Sequence, residues 1–380
     1  MSANTAYNLR FLDGLRGLAA FYVMVGHARW LLWEGVQDGY QKHPELYNIL
    51  DKTMMYGLGL FRYGHEAVLF FFVLSGFVIH LKYSKHILRE GENTPFALGD
   101  YLLRRVRRIY PPLLAALCVT GLLDYCGASL LGLPVYSRTT PYTAINQNIH
   151  HFLDIKTLLG NLCFFTETYV PFYGSNGPLW SLKFEWWFYM FYPLFFLLTK
   201  RSISVATGAL AMLFVLSFFP AFFPIKLLSD VFSMMLLWWF GVLLADVFTG
   251  RIQGVSFGAL SILIVAIPLA LLKPTHHTIL LDSIWAVGFV GLLSACFALQ
   301  TRGFRLVILE KLDWLGNFSY TLYAVHFPIL VFLSGCLMQY STDKMLPHHS
   351  FFVLLALPIP TIIAYFLYFL VEKPFITVRK

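Results

Sequence analysis

Runs of about 18 or more mostly apolar residues recur along the whole chain. A run of about that length is enough for an α-helix to cross the roughly 30 Å hydrocarbon core of a bilayer. A helix is also the structure expected there, because in lipid every backbone polar group must be hydrogen-bonded within the segment. Of the 380 residues, 58% are hydrophobic and only 13% are charged, whereas soluble domains carry roughly 25% charged residues. We therefore predict an all-α integral membrane protein.

The apolar runs predict ten transmembrane helices in a polytopic bundle. We place them at residues 11–33, 66–83, 109–132, 177–199, 203–223, 227–248, 255–272, 279–300, 314–338 and 350–370. No repeat or low-complexity linker interrupts residues 1–380, so we expect a single transmembrane domain with no appended soluble domain. The N-terminal stretch MSANTAYNLRFLDG is not a short apolar core with a cleavage site after it, so we predict no removable signal peptide.

Basic residues are concentrated in every second loop. Those loops and the C-terminal tail contain Lys85, Arg89, Arg104, Arg105, Arg107, Arg108, Lys200, Arg201, Arg251, Arg302, Arg305, Lys311, Lys373, Arg379 and Lys380. Cytoplasmic loops retain an excess of Lys and Arg. Both termini are therefore predicted to face the cytoplasm, and the long segments 34–65 and 133–176 to lie outside.

The same loops explain the net charge of +8, so we expect no nucleic-acid partner. Five cysteines are scattered along the chain without the spacing of a metal site. They predict neither a disulfide framework nor a bound metal.

The stretch LRGLAAFYVMVGHARW carries an arginine and a histidine within the first predicted helix. Arg16 and His27 are eleven residues apart, close to three helical turns, so they share one helix face at two depths. Arg16 alone is also explained as an anchor that reaches the membrane surface, and His27 as a histidine hydrogen-bonded between helices. A histidine that faces a cavity can instead act as a general base or as an acyl acceptor.

The stretch GDYLLRRVRRIYPP places four arginines immediately before a predicted span. Such a cluster is commonly a topology signal or a contact with lipid headgroups. The alternative is a phosphate clamp, because Arg105 and Arg108 are three residues apart and share a helix face, and arginine binds phosphate oxygens in a forked geometry. A cytoplasmic anionic donor would suit this site.

Two further polar groups lie within predicted spans. Glu185, in NGPLWSLKFEWWFY, is costly in lipid and should pair or face water, and Ser181 lies four residues before it on the same face. His326, in GNFSYTLYAVHFP, is about three turns into the ninth span, and its spacing identifies no partner, which favours a packing role. Ser75 and Gly76, in FFFVLSGF, are small residues that favour close helix packing.

Taken together, these motifs resemble the acyltransferase-3 family of membrane-bound acyltransferases. The matching stretches are FLDGLRG with R-x10-H ending at His27, FFFVLSGF, RRVRRIYP, LWSLKFEWWFY and SYTLYAVHFP, in that order, from about residue 9 to VEKPF near the C-terminus. The resemblance implies a ten-helix enzyme of the O-acetyltransferase type. Such an enzyme takes an acyl group, commonly acetyl from acetyl-CoA, on the cytoplasmic side. It delivers the group to a hydroxyl of a carbohydrate acceptor such as surface polysaccharide, lipopolysaccharide or peptidoglycan.

The resemblance also implies roles for individual residues. The R-x10-H element falls on Arg16 and His27, the R-x-x-R pair on Arg105 and Arg108, and the S-x-x-x-E element on Ser181 and Glu185. We take His27, Arg16 and Glu185 as candidate catalytic residues. The candidate binding and supporting residues are Arg104, Arg105 and Arg108 for acyl-CoA, and Ser181 and His326 for substrate or support. The expected partners are acyl-CoA, a carbohydrate acceptor and the lipid bilayer, in a bacterial cytoplasmic (inner) membrane.

Two other classes of function remain open from the residues alone. In a transporter or flippase, the intramembrane Arg, His and Glu would line a substrate path and do no chemistry. In a catalytically idle scaffold of polysaccharide assembly, the same residues would be structural. Turnover of acyl-CoA by the purified protein distinguishes both from an acyltransferase.

The predicted orientation is tested with a cysteine at Ser137, in the segment 133–176. We expect a membrane-impermeant maleimide to label Ser137→Cys in intact cells, above the background of the five native cysteines, because the Lys and Arg asymmetry places this segment outside. Labelling only after lysis would contradict the orientation.

Overall fold

The computed structural model describes residues 8–91, 94–272, 278–341 and 343–376. Within these residues the structure is helical, apart from two isolated β-bridges, Phe152 with Gly174 and Thr166 with Val170. The α-helices are α1 (Arg10–Leu31), α2 (Ile49–Gly59), α3 (Gly64–Glu90), α4 (Leu98–Tyr125), α5 (Thr143–Asn148), α6 (Ile155–Leu162), α7 (Trp180–Arg201), α8 (Ile203–Leu216), α9 (Lys226–Thr249), α10 (Phe257–Leu260), α11 (Ala266–Leu271), α12 (Ile279–Thr301), α13 (Val307–Lys311), α14 (Asp313–Asn317), α15 (Ser319–Tyr340), α16 (Phe351–Ala356), α17 (Pro358–Val371) and α18 (Lys373–Ile376). The all-α prediction is confirmed.

Among the described residues, six helical stretches are long and apolar enough to cross a membrane. They are Ile49–Glu90, Leu98–Leu130, Lys226–Thr249, Ile279–Thr301, Ser319–Tyr340 and Phe351–Val371. Each of the ten predicted runs contains helix in the structure, but ten spans and cytoplasmic termini stay predictions. Helix α1, for example, includes four charged residues, which lower its hydropathy. Arg379 and Lys380, assigned to the tail, lie outside the described residues.

The predicted start of the third span was wrong, because the helix begins earlier in the sequence than residue 109. Helix α4 starts at Leu98 and includes Pro111 and Pro112 in its interior, whereas we predicted a start at residue 109 and assigned the arginines before it to a loop. The four arginines therefore lie in the first half of a helix. Hydropathy misses this half because it is charged, and a proline pair normally marks a helix start, since each proline removes one backbone hydrogen bond.

The chain forms two compact units, each built from three chain segments. The first contains residues 1–19, 66–103 and 184–316, and the second contains residues 20–65, 104–183 and 317–380. Neither unit is a continuous stretch of sequence, so neither corresponds to a domain that follows the other along the chain. The single domain over residues 1–380 stays a prediction.

In the first unit, glycines allow helices to approach closely. A Cβ atom at Gly76 of α3 would lie 2.1 Å from the carbonyl oxygen of Trp238 in α9, and one at Gly241 would lie 1.9 Å from the carbonyl oxygen of Val73. Any side chain at these two positions would force α3 and α9 apart. The packing role predicted for the Ser75–Gly76 pair is confirmed at Gly76.

A buried polar network in the first unit explains one residue that we had counted only as a topology signal. Arg251 Nη1 donates to Asp246 Oδ2 at 3.1 Å, and the other carboxylate oxygen lies 3.0 Å from His80 Nε2. Asp246 and His80 are both fully buried. Because an unpaired buried carboxylate is strongly unfavourable, Arg251 has a structural role inside the fold.

In the second unit, both long segments predicted to lie outside are ordered. Tyr142, from the segment 133–176, accepts a hydrogen bond from the backbone nitrogen of Leu346 at 2.9 Å, and burial raises the pKa of its hydroxyl to about 12. In the segment 34–65, the buried Glu34 contacts Tyr47 and lies 2.8 Å from His348 Nδ1. These contacts fasten both segments to the residues that follow α15.

Candidate active site

Two histidines of the second unit are hydrogen-bonded to each other. His27 of α1 and His326 of α15 approach to 2.8 Å between Nδ1 and Nε2. Their rings are nearly parallel, at 8°, with centroids 5.1 Å apart, which is the arrangement of two rings joined edge to edge through their nitrogens. His326 is completely buried, whereas His27 is only half-buried. His326 is therefore enclosed by the protein, and His27 retains part of its exposed surface.

The surroundings of His326 determine where the hydrogens of the neutral pair lie. Its Nδ1 is 2.9 Å from the carbonyl oxygen of Tyr323 and 3.1 Å from that of Leu322. A carbonyl oxygen can only accept, so we assign the ring hydrogen of His326 to Nδ1, which leaves Nε2 as an acceptor. His27 must then donate from Nδ1, and its own Nε2 carries a lone pair.

Among the described residues, no hydrogen bond to this lone pair is observed. Two aromatic rings also contact His27: Phe327 meets it edge-on at 4.9 Å and Trp30 at 6.4 Å between centroids. Phe327 has no donor, and the structure shows no hydrogen bond between Trp30 and His27. The His27 ring is thus held by one hydrogen bond and two aromatic contacts, with an unprotonated nitrogen available for chemistry.

Pro328 and Asn176 shape the helix around His326. Pro328 lies inside α15 and has no N–H, so the carbonyl oxygen of Ala324, four residues earlier, loses its helical partner. Asn176 replaces that partner, since its Nδ2 donates to the Ala324 oxygen at 2.9 Å. Asn176 is itself fully buried. The turn that carries His326 is therefore completed by a side chain from the segment before α7.

The segment that carries Asn176 is fixed by a buried aspartate. Asp124 of α4 accepts hydrogen bonds from the backbone nitrogen of Ser175 at 2.5 Å and from the Tyr136 hydroxyl at 2.9 Å. Gly174 has a φ of +60°, and a Cβ there would lie 2.4 Å from Asp124 Oδ2. Only glycine lets the chain turn this close to the carboxylate.

Ser181 lies at the start of α7, in contact with the histidine-bearing helix. Its Oγ is 2.8 Å from the hydroxyl of Tyr323, and the Tyr323 hydroxyl donates to the carbonyl oxygen of Pro178 at 2.9 Å. Both side chains are buried. Ser181 therefore connects the first turn of α7 to Tyr323 of α15, which lies one turn before His326.

Arg108 is bound to an acid that we had not predicted as part of the site. Its Nη1 lies 2.5 Å from Oε1 of Glu372, whose side chain is fully buried. The second oxygen of Glu372 accepts from the Thr321 hydroxyl at 2.6 Å and from the Thr321 backbone nitrogen at 3.3 Å. Glu372 thus caps the first turn of α15 and neutralises Arg108 at the same time.

Arg104 and Arg105 lie on the same helix as Arg108. All three are half-buried in α4, and Arg105 and Arg108 share a face, as their spacing predicted. The arginine cluster is therefore in place as a helical surface of the second unit. Its role in binding coenzyme A stays a prediction.

Arg16 has its contacts in the first unit. Its Nη2 donates to the carbonyl oxygen of Gly316 at 2.8 Å and lies 3.0 Å from Asp13 Oδ1. Gly14 and Gly17 make this contact possible, because a Cβ at Gly14 would lie 2.0 Å from the carbonyl oxygen of Leu309. The motif DGLRG therefore packs α1 tightly against α13 and α14 and places Arg16 at the end of α14.

Glu185 also has its contacts in the first unit. It accepts a hydrogen bond from Tyr189, one turn further along α7. The Tyr189 hydroxyl lies 3.0 Å from Ser75 Oγ, which in turn accepts from Trp238 Nε1 at 3.2 Å. The carboxylate is therefore hydrogen-bonded within the fold, as its position in an apolar helix required.

The predicted site residues are distributed over the two units. His27, His326 and Ser181 are joined in the second unit, with Arg104, Arg105 and Arg108 in the same unit, while Arg16 and Glu185 belong to the first. The sequence did not identify the partner of His27, because residues 299 positions apart leave no periodic signal. It also missed Asn176 and Glu372, although the missing N–H of Pro328 was a readable sign that Ala324 needs a donor.

Comparison with known proteins supports the family resemblance that the sequence motifs indicated. The family model described as an acyltransferase domain matches residues 9–371. The chain belongs to the acyltransferase-3 family. It is an acyltransferase, and its long apolar helices make it an integral membrane protein.

Two relatives show how far the similarity extends. Acyltransferase MdmB from Streptomyces mycarofaciens is 26% identical over 298 residues, which cover 70% of this chain and 68% of MdmB. An uncharacterized protein from Haemophilus influenzae is 27% identical over 135 residues, which cover 35% of this chain and 49% of that protein. No solved structure gives a significant match.

The pairing of Arg108 with Glu372 predicts a stability effect. Arg108→Ala should lower the free energy of unfolding by about 3 to 5 kcal/mol, because it leaves a buried carboxylate without its counter-charge. Adding Glu372→Gln should restore part of that loss, since a neutral amide can still accept from Thr321. Thermal unfolding of the purified variants in detergent measures both effects. Equal stability of Arg108→Ala and wild type would show that the ion pair contributes little.

Proposed function

We propose that the protein is a membrane-bound O-acyltransferase that transfers an acyl group, most simply acetyl, from cytoplasmic acyl-CoA to a hydroxyl of a carbohydrate acceptor. Family membership supports acyl transfer, and the observation that carries the mechanism is the His27–His326 pair. An accessible imidazole with an unprotonated nitrogen, oriented by a buried second group, is the arrangement of a general base. The bacterial inner membrane and a surface polysaccharide, lipopolysaccharide or peptidoglycan acceptor belong to the same proposal.

In the proposed reaction His27 Nε2 removes the proton of the acceptor hydroxyl as its oxygen attacks the thioester carbonyl carbon. A C–O bond forms and the carbonyl becomes a tetrahedral oxyanion. When the intermediate collapses, the C–S bond breaks, and the proton on His27 Nε2 passes to the departing thiolate of coenzyme A. The products are the O-acyl ester and the free thiol, and His27 returns to its starting state.

His326 serves His27 as a positioning residue. It accepts the His27 Nδ1 hydrogen at 2.8 Å, which keeps Nε2 free of hydrogen and stabilises the imidazolium that forms when Nε2 takes a proton. This is the role that a carboxylate plays beside many catalytic histidines. A neutral histidine suits a site inside a bilayer, because it adds no buried charge in the resting state.

The donor is proposed to bind at the arginine cluster of α4. Coenzyme A is a polyanion, and guanidinium groups hold phosphate oxygens through paired, charge-assisted hydrogen bonds. Arg104, Arg105 and Arg108 are the residues proposed for this role, and Arg108 is also engaged by Glu372. Arg108 would then contribute positive charge next to the phosphates and hold the first turn of α15.

Arg16, Glu185 and Ser181 have proposed roles through the family resemblance. Arg16 and Glu185 are proposed as catalytic residues that act on the donor or the acceptor, and Ser181 as a supporting residue. Their observed contacts show how each is held: Arg16 by Gly316, Glu185 by Tyr189 and Ser181 by Tyr323. A transporter would also carry charged residues within its helices, but membership of an acyltransferase family favours chemistry over transport.

The central prediction concerns the two histidines. His27→Ala should lower turnover by about 10² to 10⁴, the usual contribution of a general base, while acyl-CoA binding stays close to that of wild type. His326→Ala should lower turnover as well, whereas His326→Gln should keep more activity, because its amide oxygen can still accept from His27. Turnover by the purified variants, measured with acyl-CoA and an acceptor glycan, checks these expectations.

The same experiment decides against the proposal if His27→Ala turns over as fast as wild type. A second measurement separates a base from a covalent acyl carrier. Wild-type protein is incubated with labelled acyl-CoA in the absence of acceptor, quenched and digested. Label on His27 that transfers to added acceptor at the rate of turnover would replace base catalysis with a covalent acyl-histidine.

A separate prediction tests the donor site. Arg105→Ala should weaken acyl-CoA binding by about tenfold or more, because it removes charge-assisted contacts with phosphate. Arg107→Ala is the matched control, since it removes the same charge from the same cluster on another face of α4. Calorimetry with both variants measures the affinities. Equal affinities for the two variants would leave the cluster as a topology signal.

A further inference from the structure

A second group of basic residues lies at the opposite end of α1 from Arg16. We define the Arg29 cluster as Tyr22 and Arg29 of α1 with Arg62 and Tyr63, which precede α3. Arg29 lies in the last turn of α1, seven residues after Tyr22 and three after Gly26, so the three share one helix face. Gly26 brings this face close to the 60–63 turn, since a Cβ there would lie 2.6 Å from the carbonyl oxygen of Phe61.

The turn that faces Arg29 is held in place by tyrosines. Tyr22 donates its hydroxyl to the carbonyl oxygen of Leu60, and the backbone nitrogen of Tyr63 donates back to the Tyr22 hydroxyl at 3.3 Å. Arg62 donates to the Tyr63 hydroxyl at 2.5 Å and lies over the same ring at 4.8 Å. The Arg62 guanidinium is therefore oriented by a neighbour, although it is exposed.

Within the part of the chain that the structure describes, this cluster has no acid. Arg29 is half-buried, its Nε is fully buried without a hydrogen-bond partner, and the charge close to it belongs to another arginine, Arg62. Glu34 is the first acidic residue after α1, and it is buried in contact with Tyr47 and His348. The two arginines thus repel each other, and the described part of the cluster supplies no acid to offset their charge.

Neither membrane topology nor the helix dipole accounts for this pair of arginines. The cluster is on the side predicted to lie outside, where the topology rule favours few basic residues. The dipole at the C-terminal end of α1 favours a cation, but it supplies no acceptor for a buried Nε. A buried donor without a partner is unfavourable, and a second arginine nearby adds repulsion.

We propose that Arg29 and Arg62 together bind a phosphate group at the outer surface of the membrane. Two guanidinium groups offer the paired donors that fit phosphate oxygens, and phosphate would supply both the missing acceptor for Nε and the missing negative charge. The phosphate is carried by a lipid headgroup or is free in solution, and both present the same oxygens to the cluster. This site is distinct from the α4 arginines, and its binding requires no acyl-CoA.

The test uses the full-length protein purified in maltoside detergent, which contains no phosphate. Inorganic phosphate and short-chain phosphatidylglycerol are titrated separately, at constant ionic strength, and binding is followed by thermal stabilisation and by native mass spectrometry. Arg29→Gln and Arg62→Gln are compared with wild type. Lys156→Gln is the matched control, because it removes one exposed positive charge from the same predicted side.

Wild type should bind at least one of the two probes, and each arginine variant should bind it about tenfold more weakly or worse, while Lys156→Gln should match wild type. Binding of phosphatidylglycerol alone identifies a lipid as the source, and binding of both probes identifies phosphate itself. The proposal is overturned if wild type binds neither probe, or if either folded arginine variant binds as wild type does. Arg62 is exposed, so its variant remains informative if Arg29→Gln does not fold.

Discussion

The hydrogen bond from His326 Nδ1 to the backbone of its own helix determines the chemistry of the histidine pair. Those carbonyl oxygens can only accept, so the ring hydrogen of His326 must lie on Nδ1. His326 Nε2 is then an acceptor, so the ring hydrogen of His27 must lie on its Nδ1. The result is a lone pair on the accessible ring. For the proposed base, this arrangement needs no buried charge, which would be far more costly in a membrane helix than a neutral ring.

The same dependence on backbone groups recurs around the site. Asn176 donates to the Ala324 carbonyl that Pro328 leaves without a partner, Glu372 accepts from the first turn of α15, and Arg16 donates to the end of α14. Each of these polar side chains completes a hydrogen bond that a helix end or a proline leaves open. In an apolar chain this requirement gives each of these polar side chains a structural role.

The sequence predicted the helical class and the positions of the apolar helices because hydropathy is a local property. It misplaced the start of α4, since a charged amphipathic turn before a proline pair has the local character of a loop. It identified His27 and the α4 arginines through motifs, but the partner of His27 lies on another helix far along the chain. Pairings such as Arg108 with Glu372 depend on how helices pack, and neither composition nor spacing encodes that directly.

Glu372 directly follows α17, the last long apolar helix of the described residues. Residues at such a position are easily taken for a dispensable tail. Here its carboxylate holds Thr321, five residues before His326, and it is the counter-ion of an arginine in α4. A truncation before residue 372 would remove the acceptor of the Thr321 hydrogen bonds and the counter-charge of Arg108. The first turn of α15, the helix that carries His326, would lose both hydrogen bonds.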